Sequence, residues 1–183
     1  MVRICRSAFM MAAMLAAVGL TGCASTLPQA QFSHQIVAGA KVSSPDTVRV
    51  NVSAADGLNI LPEDKERIAE KVAMKIDARK AANPGAGAAR LYQVDLRLTR
   101  YDKGNAFARF MFAGLGQIHV EGVISVFQMP GHTPVGEFTL KKTFAWGGIY
   151  GGATSVEDIE NTFADGVAAA VTGQKEAPPK QKS

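Results

Sequence analysis

The chain has 183 residues, with 20 basic and 16 acidic side chains and a formal charge of +4 at pH 7. This length fits one domain that is large enough to bury a core. The basic residues form no stripe or face, which argues against nucleic-acid binding. Only two cysteines are present, so the sequence predicts neither a disulfide framework nor a zinc site.

A basic start and an apolar run open the chain. Arg3 and Arg6 precede residues 8–20, which are uncharged and rich in Ala, Met and Leu. This length suits the apolar part of a signal peptide and is shorter than the roughly 20 residues that span a bilayer. We therefore expect export. Removal of such a leader takes Arg3 and Arg6 with it, which leaves 18 basic and 16 acidic side chains.

The run ends at Leu20-Thr21-Gly22-Cys23, which resembles the lipobox of bacterial lipoproteins. The resemblance implies that residues 1–22 are a signal peptide that is removed. It also implies that a diacylglycerol is attached to the Cys23 sulfur and that the new amine is acylated. Two acyl chains hold a protein stably at a membrane, whereas one holds it only marginally. An ordinary secretory signal followed by an unrelated cysteine is the alternative.

Residues 23–45 are predicted to be a lipidated tether, because Ser, Gln, Gly and Pro are frequent there and little apolar periodicity is present. Ala24 stands directly after the lipidated cysteine. In the lipoproteins that the chain resembles, an Asp at this position favours the inner membrane. The resemblance therefore implies an outer-membrane location for this chain, with the domain facing the periplasm.

A single domain is predicted over residues 46–173, and it opens with a strand and a helix. Valines alternate with polar residues over 48–52, which indicates a half-buried strand. Pro62 suits the first position of a helix, and apolar residues recur at helical spacing over 68–76. Asn83-Pro84-Gly85 ends this amphipathic core helix.

Three further strands are predicted in succession. Residues 92–98 and 118–126 alternate apolar and polar side chains, which is typical of strands with one buried face. Pro130-Gly131 then turns the chain into a last strand over 135–146. Lys142 interrupts the apolar side of that strand, so we expect a bulge or a strand end near Lys141-Lys142.

The domain closes with a glycine cluster and a second helix. Residues 147–152 contain four glycines, and Ser155 followed by Asp158 gives a capping-box pattern. Apolar residues at helical spacing follow, and Gly173 is expected to end the helix. Residues 174–183 are rich in Lys, Pro and Gln and are predicted to be a disordered tail.

These elements predict an α+β fold in the order β-α-β-β-β-α. Two helices with apolar stripes can cover one face of a four-stranded sheet, which gives a two-layer sandwich of about four mostly antiparallel strands. The first two strands are expected to be parallel across the first helix. The last three strands are expected to form a meander.

Residues 106–115 are the most unusual stretch, because large apolar side chains surround a single charge. They are an extra core segment, a strand extension, or an exposed patch that meets a membrane or a protein partner. In the exposed case Arg109 could reach lipid headgroups or pair with a carboxylate. The candidate interaction patch consists of Phe107, Arg109, Phe110, Met111, Phe112, Trp146 and Tyr150.

Nucleotide, metal and catalytic sites are not expected. The glycine spacing of residues 147–152 superficially resembles a phosphate loop, but Ala153 stands where that loop needs a Lys. His34, His119 and His132 lack the spacing of metal ligands. No G-x-S-x-G motif places a nucleophile. We therefore predict no cofactor, no metal and no enzymatic activity.

The later part of the chain, from residue 92 to 171, resembles a family of short bacterial envelope lipoproteins known as a domain of unknown function. That family supplies no catalytic residues to carry over. The resemblance is carried by Gly104-Asn105, Arg109, Gly114-x-Gly116, the strand over 118–127, Trp146-Gly147-Gly148 and Tyr150-Gly151-Gly152.

The sequence thus predicts a non-catalytic lipoprotein that is anchored through Cys23 and acts through protein interaction in an envelope or transport assembly. The expected partners are the membrane and an envelope protein. The alternative is a periplasmic module that binds a small ligand or lipid, with Phe107, Phe110 and Trp146 lining a pocket. A closed apolar cavity would favour the alternative, and a flat exposed patch would favour protein interaction.

Overall fold

The computed structural model describes residues 27–85, 87–112 and 114–174. The predicted signal peptide, the lipobox with Cys23 and nearly all of the predicted tail lie outside these residues. The described residues form β1 (Gln29–His34), β2 (Thr47–Ala54), α1 (Pro62–Ala81), β3 (Leu91–Asp102), α2 (Ala106–Met111), β4 (Ile118–Met129), β5 (Thr133–Phe144), α3 (Gly148–Ala153) and α4 (Val156–Thr172).

The strands form one mixed sheet in the order β1-β5-β4-β3-β2. β2 and β3 are parallel, as predicted for strands joined through a helix, and Val48 lies opposite Tyr92. β3, β4 and β5 are successively antiparallel and form the predicted meander. The α+β class is therefore confirmed. The prediction of about four strands is wrong, since the described residues contain five, and the predicted order lacked β1, α2 and α3.

β1 is the additional strand, and it lies in the segment predicted to be a tether. It pairs antiparallel with β5, with Gln29 opposite Lys141. The Phe32 ring packs against the Phe138 ring at a centroid distance of 5.2 Å. The prediction of an unstructured segment is therefore wrong over β1 and over the 3-10 turn at Ala38–Ala40.

The core lies between one face of the sheet and the two long helices. α1 and α4 contact each other and the strands, because both carry an apolar stripe. Buried residues alternate along β3, β4 and β5, which places the residues between them on the opposite face of the sheet. Fully buried side chains include Ile68, Val72 and Ile76 of α1, Leu96 and Leu98 of β3, Ile124 of β4, Phe138 and Leu140 of β5, and Phe163 and Val167 of α4.

The helix ends follow the sequence signals. Pro62 is the first residue of α1. Ser155 and Asp158 form the predicted capping box of α4, and Gly173 closes α4 in the left-handed conformation at φ +69°. Of the two alternatives for Lys141-Lys142, no bulge forms there, since the β4–β5 register shifts between Val126 and Phe127; β5 ends two residues after Lys142, at Phe144. Lys142 is buried within a continuous β5.

Candidate functional site

The apolar stretch after β3 folds into the short helix α2. The Asp102 carboxylate accepts a hydrogen bond from the Gly104 amide at 2.8 Å, and the Asn105 side chain caps α2 by accepting from the Ala108 amide at 2.9 Å. Gly116 is needed where α2 meets the following loop, because a Cβ there would collide with the Asn105 carbonyl oxygen. Local polar contacts and one glycine therefore fix where α2 begins and how the chain leaves it.

The glycine cluster after β5 forms the short helix α3. Gly151 is required by close packing, because a Cβ there would collide with the Trp146 carbonyl oxygen. A Cβ on Gly152 would lie only 3.2 Å from the Phe110 Cβ. The small residues of α3 thus allow the backbones of α2 and α3 to approach each other closely.

Arg109 joins α2, α3 and the loop after α2. Its side chain is buried, with 2% exposed. Nε donates to the Gly151 carbonyl at 2.9 Å, Nη1 to the Gly116 carbonyl at 2.7 Å, and Nη2 to the Thr154 carbonyl at 3.0 Å. Burial lowers the pKa of the guanidinium from its ordinary value. The expectation that Arg109 reaches headgroups or pairs with a carboxylate is wrong, since its donors hold backbone carbonyls together.

The large apolar side chains around Arg109 point outward. We call eight of them the platform, and their exposed fractions run from 46% for Trp146 to 80% for Ile149. The large apolar side chains of residues 106–115 are therefore exposed and do not form an extra core segment. The platform consists of Phe107, Phe110, Met111, Phe112, Leu115, Trp146, Ile149 and Tyr150.

The platform includes every apolar residue of the predicted interaction patch and adds Leu115 and Ile149. Ile149 could have been found from its place in the glycine cluster of residues 147–152, where four of the six residues have no side chain to cover it. Trp146 and Tyr150 lie at a ring-centroid distance of 6.3 Å. The alternative function placed Phe107, Phe110 and Trp146 in the lining of a ligand pocket. In the structure these three side chains are exposed on the surface and do not line an enclosed cavity.

The segments that carry the platform contain no acidic residue. Residues 103–118 and 138–156 have only Lys and Arg as charged side chains. Lys103 and Lys141 stand at their borders, with 48% and 57% of their side chains exposed. Lys103 pairs with Asp64 at 2.8 Å, and Lys141 lies 3.5 Å from Glu121. Asp102 and Glu157 stand directly beyond the two segments. The platform is therefore an apolar surface with both lysines and carboxylates at its borders.

A second cluster of charged groups lies between α1, α4 and β3. The buried Glu160 carboxylate accepts hydrogen bonds from Arg67 at 2.8 and 3.0 Å, from Lys71 at 2.7 Å and from the Tyr101 hydroxyl at 2.7 Å. Burial alone would raise the pKa of Glu160, but these hydrogen bonds outweigh it and hold the pKa below its ordinary value. With its hydrogen bonds satisfied inside the fold, this cluster holds the two helices to the sheet.

Among residues 27–85, 87–112 and 114–174, no group of three His, Cys, Asp or Glu side chains is placed to hold a metal ion. Within the same residues, the helices are either too short or too polar to cross a bilayer.

Several solved structures are similar to this chain at low sequence identity, and the first of those below reaches a TM-score above 0.5. A PelC variant from Paraburkholderia phytofirmans, solved as a dodecamer, is 10% identical with a TM-score of 0.51, and the match covers 79% of this chain and 97% of that chain. Protein XCC0632 from Xanthomonas campestris, of the DUF330 family, is 13% identical with a TM-score of 0.40 over 77% and 89%. A candidate lipoprotein from Caulobacter crescentus is 14% identical with a TM-score of 0.35 over 67% and 84%.

A comparison with curated proteins found no match. Residues 36–148 match the family described as Domain of unknown function (DUF4410). The match begins before the region of the predicted resemblance and ends before α4, and it confirms that the resemblance is to an uncharacterised family. It includes α2, the Arg109 contacts to the loop at Gly116, and Trp146. Because the match spans more than half of the 183 residues, the chain belongs to the family of the domain of unknown function DUF4410.

Proposed function

We propose that this chain is a non-catalytic lipoprotein, held at the outer membrane by acyl chains on Cys23 and facing the periplasm. In this proposal it acts through protein interaction, by holding a component of an envelope or transport assembly at the membrane. The sequence supports the anchor through the basic start, the apolar run of residues 8–20 and the lipobox-like tetrapeptide that ends in Cys23.

The platform is the observation that carries a binding role. Soluble monomers rarely expose contiguous apolar patches of this kind unless a membrane or a protein covers them. The base of the platform is fixed by the three Arg109 hydrogen bonds, so the exposed side chains stand on an ordered backbone. An ordered apolar surface that contains no carboxylate and no histidine is suited to contact and not to acid–base chemistry.

The anchor is tested by Cys23→Ser. We expect this variant to accumulate as uncleaved precursor and to lose all labelling by radioactive palmitate, because the thiol that receives the diacylglycerol is absent. Wild-type protein expressed at the same level is the control. Palmitate incorporation into Cys23→Ser at the wild-type level would contradict the anchor.

The interaction role is tested by Phe110→Ser combined with Phe112→Ser. Both side chains are about half exposed, so we expect the fold to persist and capture of the partner protein to fall. Capture is measured in cells with a photo-crosslinking residue in place of Phe107 or of Arg97, which lies on the polar sheet face. Met74 on the outer side of α1 is 62% exposed and serves as the control site.

We expect a discrete protein adduct from the Phe107 or the Arg97 site that is absent from the Met74 site and reduced in the double variant. Because one solved protein of this fold is a dodecamer, the adduct is analysed for a second copy of the chain as well as for other envelope proteins. Absence of a discrete adduct at both sites would contradict protein interaction. Unfolding of the double variant, seen by far-UV circular dichroism, would mean that the two phenylalanines support the core.

A further inference from the structure

We infer that the platform sits on the surface of the same bilayer that holds the acyl chains of Cys23. This inference rests on the proposed lipid anchor and assigns the platform to the bilayer. The protein adduct is then expected from the Arg97 site on the polar sheet face and not from the Phe107 site. The domain would then have two attachments to the membrane, one covalent and one through exposed apolar side chains, and would hold a fixed orientation.

The strand that follows the anchor begins at the platform end of the sheet. Gln29, the first residue of β1, lies opposite Lys141, which is three residues before β5 ends at Phe144. Trp146 and α3 follow β5 directly. α2 joins the end of β3 to the start of β4, and that start, Ile118, lies opposite Phe144. Both platform helices and the beginning of β1 therefore share one end of the sheet.

The covalent distance to the anchor is short. Cys23 stands six residues before Gln29, and a fully extended chain spans at most about 3.6 Å per residue. The lipidated sulfur therefore lies within roughly 20 Å of the start of β1. A domain restrained this closely meets the bilayer at a high effective concentration, because the encounter is intramolecular. A protein partner or a second copy has no such advantage.

The chemistry of the platform fits a lipid interface. Trp and Tyr prefer the headgroup region, where the ring is apolar and one edge is polar. Phe107, Phe112 and Ile149 supply apolar side chains that are more than half exposed. Lys103 and Lys141 at the borders each lie close to a carboxylate, Asp64 or Glu121, so the fit to lipid comes from the apolar and aromatic side chains and not from charge. The carbonyls of Gly116, Gly151 and Thr154 already accept from Arg109, which lowers the cost of bringing this backbone close to lipid.

Trp146 provides the measurement, because it is the one tryptophan of the chain. The full lipidated protein is reconstituted into vesicles of phosphatidylethanolamine and phosphatidylglycerol, with or without bromine on the upper part of the acyl chains. Bromine quenches an indole at close range. Amphipathic surfaces sit about 5–10 Å into the headgroup and acyl boundary, so we expect bromine to remove about half or more of the Trp146 emission.

A double variant, Phe107→Ser with Ile149→Ser, tests whether the platform causes this approach. Both residues are at least 71% exposed, so the fold is expected to persist, as far-UV circular dichroism would show. We expect the variant to float with the vesicles through its acyl chains but to lose most of the bromine quenching. Met74→Ser makes the same kind of change on α1 and should keep the quenching at the wild-type level.

The outcomes separate the inference from the proposal on which it rests. Wild-type protein that floats with the vesicles while Trp146 stays unquenched would overturn the docking and leave the anchor intact. Protection of Trp146 from aqueous acrylamide in that state would assign the platform to a protein or to a second copy instead. Protein that does not float would overturn the anchor, and the docking inference with it.

Discussion

Replacement of Arg109 by methionine is expected to lower the free energy of unfolding of the platform region by about 3 kcal/mol. Methionine keeps much of the side-chain volume but donates nothing, so the carbonyls of Gly116, Gly151 and Thr154 lose their common donor. A buried group left unsatisfied costs about 1–3 kcal/mol, and two of these three contacts are only partly buried.

The measurement uses two probes of urea unfolding. Trp146 emission reports on the platform, and far-UV circular dichroism reports on α1, α4 and the sheet. In Arg109→Met we expect the emission transition to move to lower urea and to separate from the dichroism transition. Arg109→Lys should not restore it, because one ammonium cannot donate in three fixed directions. Arg97→Met, at an exposed arginine of β3, is the matched control. If the two transitions coincide and do not shift in Arg109→Met, the three Arg109 hydrogen bonds contribute little to the stability of the platform region.

Glu160→Gln is expected to lower global stability by about 2–3 kcal/mol. The amide keeps the shape of the side chain but removes the charge that Arg67 and Lys71 contact. Removal of one partner from a fully buried ion pair costs about 3–5 kcal/mol, and the partial exposure of Arg67 reduces that figure. Glu157→Gln changes an exposed glutamate of the same helix and should shift stability by less than about 0.5 kcal/mol.

The stability difference between wild type and Glu160→Gln should depend on pH in a defined direction. The pKa of Glu160 is lowered in the folded state. The ionised carboxylate therefore contributes its full share to the free energy of unfolding above the unfolded-state pKa, near 4.5. The contribution is lost as pH falls below that value through the lower folded-state pKa. The stability difference between wild type and Glu160→Gln should therefore be constant at neutral pH and shrink under acidic conditions. A difference that grows as pH falls from 5 would contradict the assignment.

Local patterns predicted the elements whose burial is visible in their own sequence. The alternation in β3, β4 and β5 identified the strands because one face of each packs against helices. Pro62 and the Ser155–Asp158 pair identified helix starts because capping involves residues only a few positions apart. The parallel arrangement of β2 and β3 followed from the helix between them.

The missed features depend on contacts between distant residues. β1 is an edge strand with few apolar residues, and it is held by pairing with β5 and by the Phe32–Phe138 contact. Arg109 was visible as a lone charge in an apolar stretch. However, its acceptors on Gly151 and Thr154 come more than 40 residues later, so no local spacing could indicate them. Most platform residues could be listed from the sequence. Their exposure could not be predicted, because it depends on the packing of α2 against α3, two segments that lie far apart in the sequence.

The pairing of β1 with β5 also constrains the order in which the domain can assemble. The Ser33 hydroxyl of β1 donates to the Glu137 carbonyl of β5, which stands 104 residues later in the chain. During synthesis β1 emerges first but must wait for almost the whole domain before its partner strand exists. Until β1 pairs with it, a newly formed β5 presents an open edge to neighbouring chains. Newly made molecules are therefore most prone to aggregation in the interval before these two strands pair.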